Sequence, residues 1–304
     1  MTKDLLTASR MQCLLSCPRK HFHRYEQGLQ RTDADGDALR FGSAWHRAME
    51  ARATGADIET AFKAGLSDKT NLDELQVATL SGMLAGYYAY YQVDVIAKMN
   101  PEVEFRMPLT GSRTFDVAGK IDGLAILTDD RLALVEHKTT SDSVAPDSDY
   151  WLRLRGNLQI MQYVLAARAL GWDVATIIYD VAKKPAIRQK QNETPEQFGD
   201  RLTADTKERP EFYFARREIP ILEDDLQEFE AQRLVVAREI LSCRSESRRA
   251  AKPEHGWPRN VGEWTCRFCD FSGFCLQNGA IDAAHPPAGF RIGSINPELT
   301  GGTK

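Results

Sequence analysis

Two short runs near the middle of the chain carry the residues best suited to chemistry: Gly119-Lys120-Ile121-Asp122-Gly123 and Val135-Glu136-His137-Lys138-Thr139. Side chains two apart on a strand share a face, so Glu136 and Lys138 point the same way. The turn Thr128-Asp129-Asp130-Arg131 closes a hairpin that returns the Asp122 strand beside them. Apolar flanks, Leu124-Ala125-Ile126 and Leu132-Ala133-Leu134-Val135, argue for a central hairpin over a surface one carrying an ordinary Glu-x-Lys pair. On the buried side of a sheet, an Asp, a Glu and a Lys are costly unless they are used. Two carboxylates supply hard oxygen ligands for Mg²⁺ or Mn²⁺. A lysine beside them positions or deprotonates an attacking water and neutralises a phosphate, while the metal stabilises the leaving oxygen. That is the equipment for phosphodiester hydrolysis.

A second constellation lies near the end of the chain. Cys266, Cys269 and Cys275 are spaced Cys-x2-Cys-x5-Cys. Six cysteines in 304 residues are too few for a secreted disulfide scaffold. Three clustered thiols therefore suggest a metal, but zinc and iron–sulfur clusters each want four ligands, and the fourth is missing locally. Trp264, Phe268, Phe271 and Phe274 flank the run and are expected to shield whatever it holds. Cys13 and Cys243 fit no pattern and read as inert thiols.

The elements that must position these residues follow from periodicity. Thr7 to Tyr25 reads as a short helix, a break at Cys17-Pro18 and a basic-aromatic run; Thr32 to Asp37 reads as a polar loop. Helices are expected over 43–52, 72–99 and 150–170, the last stopped by Gly171. The Gly82/Gly86 pair and the tyrosines 87, 88, 90 and 91 read as packing. Strands are expected over 102–107, 114–127, 132–138, 174–181 and 211–219. A helix opens at Thr194-Pro195-Glu196, and an amphipathic one runs over 223–242. The fold class is α/β: a mixed sheet of about five strands flanked by helices, with a helical insertion before it and a cysteine-bearing lobe after it. The boundaries read as a basic N-terminal segment (1–31), a helical region (32–100), a core (101–242), a cysteine lobe (243–280) and a tail (281–304).

Composition narrows the partners. Hydrophobic residues at 42% and charged residues at 27% are ordinary for a soluble globular protein. No apolar run reaches the ~18 residues of a membrane helix, and the N-terminus breaks any signal-peptide pattern with charges, so an intracellular protein is expected. The net charge of −4 argues against a simple basic coat protein for nucleic acid. That average conceals +4 in residues 1–31 and +3 in residues 243–259, set against −11 elsewhere. Both basic segments flank the cysteine residues and offer phosphate contacts. Lys183, Lys184, Arg188 and Lys190 form a third basic group, and Phe22, Tyr25 and Trp257 are candidates to stack on bases. The chain carries no Gly-x4-Gly-Lys-Ser/Thr loop, so a helicase would be a separate partner.

Three further runs complete a pattern: Cys17-Pro18-Arg19-Lys20, Gly42-Ser43-Ala44-Trp45-His46 and Gln159-Ile160-Met161-Gln162-Tyr163. In this order with the Asp122 and Glu136-x-Lys138 runs, they resemble the PD-(D/E)XK nuclease superfamily. Within it they are most similar to the RecB-like and AddB-like branch, which includes stand-alone nucleases of CRISPR adaptation. The resemblance spans about residues 9–276 and implies a restriction-endonuclease-like core. It implies that His46, Asp122 and Glu136, with the backbone carbonyl of His137, hold Mg²⁺ or Mn²⁺, and that Lys138 is the catalytic lysine. Gln159 and Tyr163, which share one helical face, would orient that lysine and touch DNA. Cys17 would join Cys266, Cys269 and Cys275 around a 4Fe–4S cluster, with zinc as the rival occupant, stapling the two ends of the chain. Arg19, Lys20, Arg24 and Tyr25 would contact DNA. The implied activity is an exonuclease on single-stranded DNA ends, in CRISPR adaptation, recombination, repair or phage DNA processing. The rival reading is a catalytically inactive DNA-binding or assembly protein of the same fold.

Overall fold

The computed structural model describes residues 3–33, 36–67, 71–277, 285–296 and 299. The chain begins with β1 (Asp4–Leu6), α1 (Ala8–Ser16), α2 (Pro18–His21), a π-helical turn over Phe22–Glu26, and β2 (Leu29–Arg31). Three helices follow, α3 (Asp37–Ala53), α4 (Ile58–Gly65) and α5 (Glu74–Tyr90), and then β3 (Ile96–Pro108), β4 (Phe115–Leu127) and β5 (Leu132–Thr140). Next come α6 (Asp149–Arg155), α7 (Leu158–Ala169), β6 (Thr176–Lys183), α8 (Pro195–Glu208), α9 (Pro210–Tyr213) and β7 (Phe214–Pro220). The described chain closes with α10 (Glu223–Arg249), a 3₁₀ turn over Pro253–Gly256, α11 (Glu263–Arg267), α12 (Ser272–Cys275) and β8 (Phe290–Ile292).

The main sheet is mixed and has six strands, ordered β1-β4-β5-β6-β7 with β3 also paired to β4. The β4/β5 and β6/β7 pairs are antiparallel, and β5/β6 is parallel across the α6–α7 crossover. The α/β class with a mixed central sheet holds, with β1 as the added strand. Three residues are too few to show a period, which is why Asp4–Leu6 was not legible.

Several boundaries differ from the sequence expectation, and four of the differences have clear local reasons. The helix expected to reach Met99 stops at Tyr90; Asp94 then caps a turn by accepting from the Ile96 N–H at 2.9 Å, and β3 begins. The helix expected over 150–170 is two, because Asn157 ends one and caps the next, accepting from the Gln159 N–H at 2.9 Å. Residues 211–213 join a short helical turn after Pro210. In the expected tail, Phe290–Ile292 pairs antiparallel with Leu29–Arg31, since Gly28 and Gly293 let the two backbones meet (Gly293 N–H to Gly28 carbonyl, 2.9 Å). Ala34 and Asp35 of the expected loop, and residues 278–284, 297–298 and 300–304 of the lobe and tail, lie outside the described residues.

The chain forms two compact units. One comprises Met1–Ala34, Glu104–Gly119 and Asp224–Lys304, and the other Asp35–Val103 and Lys120–Glu223. The basic N-terminal segment and the cysteine lobe thus belong to one unit, while the expected core is divided between two. In the second unit, Trp45, Met83, Leu84, Tyr87 and Phe214 build a core under α3 and α5. There α5 and α8 meet at Gly82 and Gly86: a Cβ on Gly82 would lie 2.8 Å from Leu202 Cβ, and one on Gly86 would strike Thr206. The Thr206 hydroxyl instead donates to the Gly82 carbonyl at 2.9 Å.

The first unit is centred on a buried cation. Arg10 is 0% exposed and donates to Asp4 Oδ1 (2.9 Å), the Leu5 carbonyl (2.8 Å), Glu26 Oε1 (3.1 Å) and His21 Nε2 (3.2 Å). Arg244 reaches the same acids, to Asp4 Oδ2 at 2.6 Å and Glu26 Oε2 at 2.8 Å. The burial of this centre pushes His21 down to about 2, so it accepts from Arg10 as a neutral ring. Burial also raises Asp4, but the hydrogen bonds and charges of Arg10 and Arg244 outweigh it and hold Asp4 below its ordinary value. A carboxyl depressed in the folded state stabilises above its unfolded pKa of about 3.9 and stops doing so as pH falls through the folded value. The stability gap between the wild type and Asp4→Asn, measured by urea unfolding, is therefore expected to be full at pH 7 and to shrink only below about pH 4; a gap that closes near neutrality would contradict the ion-pair account.

Candidate active site

The β4/β5 ladder pairs Gly123 with Val135 and Leu124 with Leu134. One step further along this register sets Asp122 opposite Glu136, and the His137 N–H donates to Asp122 Oδ2 at 3.0 Å. Glu136 is 0% exposed and forms an ion pair with Lys138 on the same face of β5. Lys138 Nζ also donates to Gln159 Oε1 at 3.3 Å, and Gln159 Nε2 donates to the Tyr163 hydroxyl at 3.0 Å. The second carboxylate oxygen of Glu136 is buried with no hydrogen-bond partner among the described residues. From α3, whose Trp45 is fully buried in the core, His46 presents its ring with Nδ1 3.6 Å from Asp122 Oδ2.

Glu102 belongs to this cluster and was not singled out from sequence. His46, Glu102 and Asp122 each offer a ligand atom, all within 4.8 Å of one another. Glu102 sits on β3 in a left-handed conformation (φ 53°), and Lys120 pairs with it. The only available signal was an acid following Pro101 at the start of an expected strand.

The electrostatics follow from bringing one buried and two half-buried acids together. Burial, reinforced by Asp122, raises Glu136 to about 7, and burial also raises Asp122. Burial and the nearby His137 hold His46 down at about 4, leaving a neutral imidazole, the form that binds metals. Burial opposes the charge of Lys138, yet Glu136 and Asp122 keep its pKa above the ordinary lysine value. On the other face of β5, His137 Nδ1 lies 3.2 Å from Asp180 Oδ2, which accepts from Arg216 at 3.1 Å and from the Tyr87 hydroxyl. Burial works against a charge on His137, but Asp180 and Asp122 together raise its pKa.

The cysteine residues form a separate site in the first unit. Cys17, Cys266, Cys269 and Cys275 all line one small cavity, together with Lys20, His23 and Phe271. The Asn260 N–H donates to Cys17 Sγ at 3.4 Å. Cys13, four residues earlier, does not line this cavity, and burial pushes its thiol up to about 12. Phe271 and Phe274 shelter the site as expected, packing on His23 with centroids 5.5 and 5.1 Å away. Trp264 and Phe268 do not: they are 69% and 71% exposed, because α11 turns them outward.

Three of the expected DNA contacts are also corrected, among them Tyr163, which is buried with its hydroxyl on Gln159. Arg19 is buried, spending its Nε–H on the Trp257 carbonyl at 2.9 Å, and Tyr25 is buried beneath the Arg10 guanidinium. Phe22 and Trp257 are buried too, with Trp257 stacked on His21, so none of these rings is open to a base. Lys20 and Arg24 remain partly accessible.

The PD-(D/E)XK nuclease superfamily matches this chain over residues 5–276. Among solved structures, a protein described as an exonuclease of Eubacterium rectale is similar at 14% identity and TM-score 0.48, over 98% of this chain and 94% of that one. The structure of SSO0001 is similar at 11% identity and TM-score 0.40, over 92% and 89%. A phage-related exonuclease of Haemophilus somnus 129PT is similar at 11% identity and TM-score 0.33, over 79% and 94%. No curated protein sequence matches. Among the described residues, no helix is long and apolar enough to cross a membrane.

The placement of Glu102 gives a direct test. Glu102→Gln is expected to weaken Mn²⁺ binding roughly tenfold or more, read by calorimetry or by loss of the free-ion electron paramagnetic resonance signal. Glu104→Gln, exposed two positions along the same strand, is expected to leave it unchanged.

Proposed function

This chain belongs to the PD-(D/E)XK nuclease superfamily, and on that premise we propose that it is a divalent-metal-dependent deoxyribonuclease that degrades single-stranded DNA from its ends and carries a 4Fe–4S cluster on four cysteines. The observations that carry the catalytic part are the contact of His46 with Asp122, the pairing of Glu136 with Lys138 on the neighbouring strand, and the hold of Gln159 on the lysine. The donor set, one neutral imidazole and hard carboxylates, suits Mg²⁺ or Mn²⁺. The unpartnered buried oxygen of Glu136 is an acceptor awaiting such a ligand. His46, Asp122 and Glu136, with the His137 carbonyl, would hold the ion, and Glu102 joins them. When bound, the ion polarises the scissile phosphate and stabilises the leaving oxygen.

The remaining steps fall to the chain's own side chains. Lys138, kept protonated by its acidic neighbours, is a fixed cation that neutralises the phosphate and orients a water toward it. Gln159 takes one Nζ hydrogen bond and is itself fixed by Tyr163, so the ammonium has little freedom to wander. A purely DNA-binding protein would have no use for a lysine paired to a buried acid in this way, which is why catalysis is preferred over an inert relative of the same fold. The preference for single strands and free ends rests on the likeness of the five motifs to the RecB-like branch.

For the cysteine site, four thiols lining one cavity supply the full ligand set that three clustered cysteines lacked. Zinc on the same four thiols is the rival occupant, and the iron–sulfur reading follows the likeness of the Cys17, Cys266, Cys269 and Cys275 pattern to the RecB-like branch. The cluster would supply structural cross-linking.

Two experiments test the reading. On end-labelled single- and double-stranded DNA with Mg²⁺ or Mn²⁺, the wild type is expected to degrade single strands from the ends, and Lys138→Ala to lose at least about a hundredfold in rate; equal cleavage by the variant would overturn the assignment. Protein purified without oxygen is expected to be brown and to contain iron and acid-labile sulfide, whereas colourless protein with one zinc would select the rival occupant.

A further inference from the structure

The two rings that fail to shelter the cysteine site form a surface of their own. Trp264 and Phe268 sit four residues apart, one helical turn, bracketing Cys266. Their planes are within 18° of parallel, with centroids 6.3 Å apart. The Arg267 guanidinium lies 5.8 Å from one ring and 5.6 Å from the other, and it makes no ion pair among the described residues. The neighbouring acid, Asp270, is drawn toward Arg31, 3.9 Å away.

Leaving two large aromatic side chains in water forgoes the free energy of burying them, so the arrangement points to an occupant. Each ring offers a flat π face, the two are already aligned, and an unneutralised cation stands beside them. This combination suits a strand that alternates flat unpaired bases with phosphates. Duplex DNA has its bases stacked on each other and gives such rings nothing to hold. Because the rings are pre-aligned, little ordering cost opposes the contact. We propose that Trp264, Phe268 and Arg267 form a stacking platform for the unpaired bases of single-stranded DNA. The proposal rests on the nuclease reading and identifies where on the first unit the substrate's bases are held.

The test is direct binding without divalent cation, with a dye-labelled oligothymidylate and an abasic sugar–phosphate strand of equal length as probes. Trp264→Ala/Phe268→Ala is expected to bind oligothymidylate at least about fivefold more weakly while binding the abasic strand as the wild type does. Wild-type tryptophan fluorescence is expected to be quenched by oligothymidylate, and Trp264→Phe to lose most of that quenching while keeping most of the affinity. Unchanged metal content and circular dichroism of the double variant separate lost stacking from lost folding, and the Trp264→Phe quenching test stands even if the double variant does not fold. Equal affinity of wild type and double variant for oligothymidylate would overturn the proposal. So would a wild type that self-associates through this patch, dissociates on the double substitution and keeps its DNA affinity. These outcomes are independent of cleavage: a wild type that digests DNA but shows no base-dependent loss sinks the platform alone, and one that digests no DNA in Mg²⁺ or Mn²⁺ sinks the nuclease reading.

Discussion

Burying like charges together sets the terms for the second unit. Asp122 offers an oxygen within 4.8 Å of one on Glu102 and lies across the β4/β5 pair from Glu136; Glu136 is buried and the other two half-buried, so water screens their repulsion only in part. Two lysines answer them, Lys138 on Glu136 and Lys120 on Glu102, and one neutral imidazole adds no charge of its own. The arrangement is one proton or one cation short of balance, and Glu136, raised to about 7, is where the deficit shows. A site so balanced would gain from a positive ion, which is the part proposed above for Mg²⁺ or Mn²⁺.

The strand that carries these groups is fixed from behind. His137 alternates with Glu136 and Lys138, so its ring points to the opposite face, where Asp180, Arg216 and Tyr87 form a second buried charge network. Arg216 extends it to Asp94, at the turn that ends α5 and starts β3. The parallel pairing of β5 with β6 places Asp180 opposite His137. A site held from both faces of one strand keeps its carboxylates in place without help from a ligand, and preorganisation of that kind is what electrostatic catalysis requires.

Much of this was legible in the sequence, and the parts that were not share a cause. Asp122, Glu136 and Lys138 could be placed together because strand alternation and one turn are local rules. The expectation that Gln159 and Tyr163 orient the lysine came from resemblance; their spacing of one helical turn lets Tyr163 accept from the Gln159 that holds Lys138. Glu102 was missed because it reaches the site by tertiary pairing of β3 and by an unusual φ, neither of which leaves a pattern. The same limit explains the errors at the cysteine site. Composition says that aromatics surround Cys266 and Cys269, but which of them face inward depends on helices of four or five residues, too short to show a period. Arg19 and Tyr25 read as surface residues by type, and only the Arg10 and Trp257 contacts reveal them as interior.

The first unit is assembled from three separated stretches of chain, and its cysteine cavity is lined by Cys17 and, much later in the sequence, by Cys266, Cys269 and Cys275. During synthesis, Cys17 leaves the ribosome far ahead of Cys275. At translation speeds of roughly 5–20 residues per second, the delay is on the order of tens of seconds. The second unit, which lies mostly between them, has time to fold while Cys17 and its neighbours wait. All four thiols can therefore meet only after residue 275 has been made, and a product truncated before Cys266 would present Cys17 alone.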